Sequence, residues 1–388
     1  MIVVGNPENR RVAMFRGALL AQGHPAARVV AWKDLVEPGA PARLLRGDAL
    51  IRIDSVGEND EVERALLRRG EAAARAEGVP AISAVELAAM PYELGKIVHP
   101  RQHHLGFLAV LDEIEAATSR ACPGEAALPN GSAGLSTIGA RVLPPPSAIR
   151  ELFDKVAASR RWRALGIPMP EALPVVRTPD EVRAAMRERA WTTAFVKLTS
   201  GSSASCVAMF THHDASEHVL TTVEDTGRAR FNTRKLQRLT SRESIDRVLG
   251  FILGEGAIVE RAIPKAKLDG AWFDLRVLAI DGEAAFVVMR TSPHPITNLH
   301  LGGQRGDVEA LRARIAPAAW DAAMASAVAV QRATGAFQVG VDLMFEPDLV
   351  HHRVLEGNAF GDLLPNLERD GLDVYGWQIR RLLGTVPA

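Results

Sequence analysis

Cysteine is almost missing: Cys122 and Cys206 are the two thiols in 388 residues. Two thiols make neither a disulfide framework nor a metal-ligand spacing, so a reducing cytoplasm is the expected compartment. A surplus of charge is also missing. Lys plus Arg and Asp plus Glu both number 46, and a chain of zero net charge lacks the electrostatic footprint for nucleic acid or an anionic membrane. Long apolar runs are absent; residues 105–111 form one of the longest, far short of the roughly 20 residues that span a bilayer. The opening MIVVGNPENRR has no basic region followed by an apolar stretch, so no signal peptide is expected. There is no repeat, and no GxGxxG follows the first apolar run, so the dinucleotide fingerprint is missing. Residues 121–139, rich in Gly, Pro, Ser and Ala, come nearest to disorder. What is present is ordinary for a globular chain, 47% hydrophobic and 24% charged, with length for two or three domains.

Residues 334–358 carry the strongest local chemistry. Residues 339–345 read as a β-branched, apolar strand with Asp342 in its middle. Glu346-Pro347-Asp348 signals a turn, and residues 350–355 a second extended run. Strand alternation puts Glu356 and Asn358 on one face, and antiparallel pairing would set Asp342 opposite them. Two buried carboxylates repel unless a cation neutralises them. Two carboxylates and an amide oxygen suit Mg²⁺, which keeps its waters and shares carboxylates with substrate phosphates. A hairpin with solvated acids is the alternative.

The first segment alternates short apolar strands with helices. Strands are expected at residues 2–5, 26–32, 50–54 and 79–83, and helices at 11–22 and 58–77. That pattern implies a parallel α/β sheet with ligands at its strand C-terminal ends. Asn6, Arg52, Asp54 and Ser55 sit at such ends, as substrate contacts or as caps and loop residues. Residues 142–146, with three prolines, read as an extended connector and domain boundary. Ser147 is placed to cap one helix over 148–165 that carries Asp154 and Lys155. A strand over 191–198 carries Lys197 and runs into a loop of small residues, 199–205, before a strand over 206–210. Such a loop lets backbone N–H groups approach phosphate oxygens, or is an ordinary turn.

The order of motifs carries a resemblance. Asp154-Lys155 is followed by Val196-Lys197 with GSSAS, Ile258-Val259-Glu260-Arg261-Ala262-Ile263, Asp274-Leu275-Arg276 and Val288-Met289-Arg290. Then come Thr297-Asn298-Leu299-His300, Val341-Asp342-Leu343 and Leu355-Glu356-Gly357-Asn358. This order resembles the ATP-grasp superfamily, closest to its glutathione synthetase-like and glutamate ligase-like branch. The resemblance implies a mixed α/β and α+β chain. It comprises an N-terminal parallel α/β, pre-ATP-grasp domain over 1–145, an ATP-grasp subdomain with a phosphate flap over 146–240, and a C-terminal subdomain with the Mg²⁺ site over 241–388. It implies a cytoplasmic ligase that uses ATP and Mg²⁺, or Mn²⁺ in its place, to join a carboxylate to an amine or thiol through an acyl phosphate.

The same resemblance implies residue roles. Lys155 and Lys197 would contact the ATP phosphates, with Ser202 and Ser203 in the flap over them. Glu260, Arg261 and Ile263 lie in the linker that recognises adenine. Asp342, Glu356 and Asn358 would hold Mg²⁺. Arg276 and Arg290 would face the γ-phosphate and the acyl phosphate, with Asn298 beside them; an arginine fork suits such oxygens. The plain alternatives are a solvated helix lysine, an edge-strand carboxylate, surface ion-pair arginines and a turn asparagine. Substrates would be small-molecule or peptide carboxylates and amines, and a homodimer is a candidate assembly. A nucleotide-binding sensor or partner module without turnover, and a small-molecule kinase, remain the alternative functions. His294, His300, His351 and His352 lack metal spacing and read as caps or surface residues. Two departures stand out: Ala204 and Cys206 occupy flap positions where the family has glycine, and no Ser-Pro-Gly follows Asn358. The first restricts the loop's approach to phosphate; the second points to an unusual acceptor.

Overall fold

The computed structural model describes residues 1–45, 50–57, 59–119, 141–201, 205–213, 216–298, 301–361 and 364–384. Cys122, the 121–139 stretch, Ser202, Ser203, Ala204 and His300 lie outside the described residues.

The first layer contains β1 (Ile2–Gly5), α1 (Arg10–Ala21), β2 (Arg28–Ala31), α2 (Trp32–Leu35), α3 (Ala40–Leu44), β3 (Leu50–Ile53), α4 (Asp60–Glu77), α5 (Ala84–Ala89), α6 (Pro100–Ser119) and β4 (Arg141–Leu143). Its four strands pair in parallel in the order β2-β1-β3-β4. All four residues of β1 are buried, as expected where helices cover both faces of a parallel sheet. Asn59 caps α4 by accepting from the Val62 N–H, three acids fill its first turn, and Gly78 ends it at φ +71°. Helices α4 and α6 touch backbone to backbone. A Cβ on Gly70 would lie 1.9 Å from the Gln102 carbonyl oxygen, and one on Gly106 as close to that of Leu66.

The fourth strand is not residues 79–83, which form no strand. Pro80 lacks an N–H, Ser83 is committed as the cap of α5, and the Gln102 amide satisfies both the N–H and the carbonyl of Ile82. The place beside β3 goes to residues 141–143, so the expected connector begins inside the sheet.

The second layer begins with α7 (Pro146–Leu152), α8 (Lys155–Ala164) and α9 (Pro179–Glu188). The single helix expected over 148–165 is two. It breaks at Phe153 and Asp154, where Asp154 leaves helical geometry and caps α8 through the Ala157 N–H. Ser147 lies inside α7, whose N-cap position is Pro145. Strands β5 (Thr193–Leu198), β6 (Val207–His213), β7 (Ser216–Asp225) and β8 (Arg230–Leu239), helix α10 (Arg242–Gly254) and strand β9 (Ala257–Arg261) follow. The sheet order is β8-β7-β6-β5-β9, and α10 packs on it in a core of its own. The expected division at 240 therefore falls within this layer, because α10 and β9 bury their apolar faces against β5 and β7.

The third layer contains β10 (Lys267–Leu268), β11 (Ala271–Ile280), β12 (Glu283–Ser292), β13 (Gln304–Gly306), α11 (Val308–Arg312), α12 (Pro317–Thr334), β14 (Gln338–Phe345), β15 (His352–Asn358), β16 (Glu368–Arg369), β17 (Leu372–Asp373) and α13 (Val374–Leu383). Its main sheet runs β13-β12-β11-β14-β15 with β10 on β11. Every residue of β14 is buried. The largest core joins this sheet to the first layer and to α7 and α8. In addition, α13 closes over α1 through Tyr375 and Ile379. Among the described residues no helix is long and apolar enough to cross a membrane.

Candidate active site

Three strands of the third layer set charged residues side by side. Arg276 on β11 pairs with Asp342 on β14, and Asp342 pairs with Glu356 on β15. Asn358 pairs with Gly340, and Asp274 with Arg290 on β12. The two expected runs thus pair antiparallel, with the acids opposed. Asp342 accepts from Arg276, and the Arg290 Nη2 lies 3.1 Å from its second oxygen. Arg290 Nε donates to Asp274 at 2.7 Å. Burial opposes the charge of Asp342, but Arg276 and Arg290 outweigh it and hold the carboxyl far below its ordinary range. These arginines are buried, 8% and 6% exposed, which removes the surface ion-pair reading.

The second layer supplies lysines. Lys155, at the first turn of α8, donates its N–H to the Thr199 carbonyl and its ammonium to that of Gly201, tying the helix to the small-residue loop. Its Nζ lies 3.8 Å from Glu356, and burial lowers its pKa despite that carboxylate. Lys197 donates to Glu260 at 2.7 Å. Burial opposes its charge, yet Glu260 prevails and raises its pKa. Leu152, Ser159, Trp162, Met169, Leu355 and Gly357 line a shallow cleft with Lys155, Glu260 and Glu356.

The linker after β9 is partly committed. The Arg261 N–H donates to the Glu171 carbonyl and that of Ala262 to Thr193, whereas Ile263 makes no backbone hydrogen bond among the described residues. Asn298 directs its carbonyl to the N–H groups of Leu301 and Gly303, which shapes the turn beside Thr297. Of the histidines, His351 is exposed on Asp348 and His352 meets Ser326.

Four further residues belong here. Asp274 accepts from Thr297 and Arg290, and Lys265 donates to Thr297 at 2.7 Å while lying 3.6 Å from Asp274. Burial lowers the pKa of Lys265, with Asp274 opposing. Ser159 is 2% exposed and its hydroxyl has no partner among the described residues. The signal for Asp274 was its position two residues before Arg276, on the same face of one strand; Thr297 stands in the motif beside Asn298, and nothing local marks Lys265 or Ser159.

No protein-family model matches the sequence, and no curated protein aligns with it. Solved structures do match. The D-cycloserine synthetase DcsG superposes with a TM-score of 0.53 at 16% identity, over 98% of this chain and 99% of that one. PsnB, an ATP-grasp ligase complexed with minimal precursor, Mg and ADP, gives 0.51 at 16% identity, over 99% and 96%. The macrocyclase MdnC from Microcystis aeruginosa MRC, bound with precursor peptide MdnA, gives 0.50 at 12% identity, over 100% of each. The chain has the ATP-grasp fold. In this chain the charged cleft lies where the second and third layers meet.

The donor set of that cleft fits a divalent cation and a nucleotide. A carboxylate offers about four lone-pair directions, so Asp342 can serve two arginines and a metal. Asn358 uses its amide nitrogen on Gly340 at 3.2 Å, which leaves its oxygen to coordinate. Lys155, Lys197, Lys265, Arg276 and Arg290 face Glu260, Asp274, Asp342 and Glu356, a cationic excess suited to a polyanion. The unpartnered Ser159 hydroxyl lines the same cleft.

Proposed function

We propose that this protein is an ATP-dependent ligase that activates a carboxylate as an acyl phosphate and passes it to an amine or thiol. The observation that carries the reading is the row Arg276–Asp342–Glu356, its first two members buried and Glu356 half-buried, flanked by Arg290 and faced by Lys155. Lys155 and Lys197 are assigned to the phosphates, Ser159 and the Ile263 N–H to the adenosine end. Mg²⁺ held by Asp342, Glu356 and Asn358 would supply charge neutralisation at the phosphates. Arg276 and Arg290 hold the incoming carboxylate and then the acyl phosphate; their forks are kept in place by Asp342 and Asp274, so little reorganisation is needed as charge develops. Attack by the acceptor releases phosphate. DcsG and the peptide-bound PsnB and MdnC support small molecules and peptides as substrate classes.

The test is ADP release across a panel of carboxylates, amines and short peptides, with product mass and an ¹⁸O-labelled carboxylate. One ¹⁸O in the released phosphate for each product supports the acyl phosphate. ADP without a joined product makes the protein a kinase, and ATP binding without ADP makes it a sensor.

A further inference from the structure

The loop joining β5 to β6 lacks glycine at Cys206, yet Cys206 sits at φ +53°, a conformation that disfavours a side chain. What holds it there is Asn232 on β8. The Asn232 Oδ1 accepts from the Cys206 N–H at 3.2 Å, and its Nδ2 donates to the Ser205 hydroxyl at 2.8 Å. Asn232 is itself held from the first layer. Its N–H donates to the Gly95 carbonyl at 2.7 Å, the Ile97 N–H donates to the Arg230 carbonyl at 2.8 Å, and Lys96 bridges to Phe231. Gly95 takes φ +78°, and a Cβ there would lie 3.1 Å from the Asn232 carbonyl oxygen. Ile97 packs against the core of the second layer. Beyond it, the buried Glu255 at the end of α10 accepts from the Arg101 N–H in the first turn of α6, at 2.9 Å. Residues 93–97 are thus a strap lent by the first layer to the edge of the second.

From this relay we infer that Asn232 is a positioning residue for the Ser205–Cys206 end of the proposed phosphate loop, and that the strap holds that end through it. Two hydrogen bonds do at Cys206 what glycine's freedom does elsewhere. The link to catalysis rests on the proposed ATP reading; the link between strap and loop does not.

The experiment uses the full chain in a Cys122→Ser background, so that Cys206 is the one thiol. In the parent, Cys206 is fully buried and alkylates slowly. Asn232→Ala and Gly95→Ala should each speed iodoacetamide labelling roughly tenfold or more, as local opening becomes cheap, with the global melt nearly unchanged. Both should raise the KM for MgATP about tenfold, the worth of one or two hydrogen bonds, with a smaller fall in kcat. Adding Cys206→Gly to Asn232→Ala should recover KM, since glycine accepts the left-handed conformation unaided. Unchanged labelling in Gly95→Ala overturns the relay, and so does labelling in Asn232→Ala that merely tracks global unfolding. If Asn232→Ala does not fold, Gly95→Ala decides. A parent that labels as expected but turns over no ATP with any substrate refutes the ligase reading and leaves the relay standing.

Discussion

Lys197→Ala tests the cleft most directly, because it removes a proposed phosphate contact and also breaks a buried pair. The Lys197 and Glu260 side chains are 15% and 4% exposed, 2.7 Å apart. Deleting one partner of a buried pair strands the other charge, at a cost of roughly 3–5 kcal/mol; partial exposure of the lysine argues for about 3. A cooperative unit of 150–250 residues loses about 2–4 °C per kcal/mol, so the apo protein should melt roughly 6–12 °C lower. Its pairing with Glu260 makes the loss felt in the apo melt as well as in nucleotide binding. Lys197→Met with Glu260→Leu leaves no stranded charge and should recover most of the loss. Neither variant should regain the ATP-induced rise, worth about 2.7 kcal/mol at a hundredfold excess over Kd in the parent. Because Glu260 raises the folded pKa of Lys197, the pair's contribution is complete below the unfolded value, about 10.4. It is lost as pH climbs through the raised value. Calorimetry of the three proteins with and without MgATP is the assay. A Lys197→Ala protein that melts with the parent would refute the buried pair.

Glu356→Gln should lower turnover by roughly two to four orders of magnitude, the range for one strong electrostatic stabiliser. It should give no gain in apo melting temperature, because Arg276, Arg290 and Lys155 already compensate the two acids; parental turnover would displace the metal assignment. ATP should bind clearly more tightly than GTP or CTP in calorimetric titration, and equal affinities would reject the 260–263 linker as the base site. Burial pushes the His104 imidazole down to about 3, where it stacks on Phe153 at 6.1 Å. The unfolded chain therefore takes up a proton that the folded chain refuses as pH falls below about 6.5. Stability should drop by about 2 kcal/mol between pH 7 and 5 from this group alone, and His104→Leu should flatten that slope in urea titrations.

Much of the third layer was legible because strand chemistry is periodic. Asp342 facing Glu356 follows from alternation and a turn signal, and the same rule could have reached Asp274 from Arg276. Lys265 and Ser159 were illegible because distant segments bring them to the site, and Thr297, within its motif, showed no role until Lys265 and Asp274 met it. The break at Phe153 was hidden because Asp154 is both a tolerable helix residue and a good cap, and only the docking of Lys155 on the 199–201 carbonyls decides between them. Residues 79–83 had the composition of a strand, but Gln102, 20 residues on, took their hydrogen bonds.

The docking of α13 on α1 also governs how the chain emerges during synthesis. Phe15 and Leu19 share their core with Tyr375 and Ile379, and Gln22 donates to the Gly376 carbonyl across 354 residues. At about 5–20 residues per second, ribosomes need roughly 20–70 s to make that interval. From the completion of β4 at residue 143 until α13 is made, the α1 face of the first sheet stays uncovered, a sticky surface awaiting its own distant lid. Nascent chains stalled before residue 374 should therefore recruit holdase chaperones that the released protein ignores.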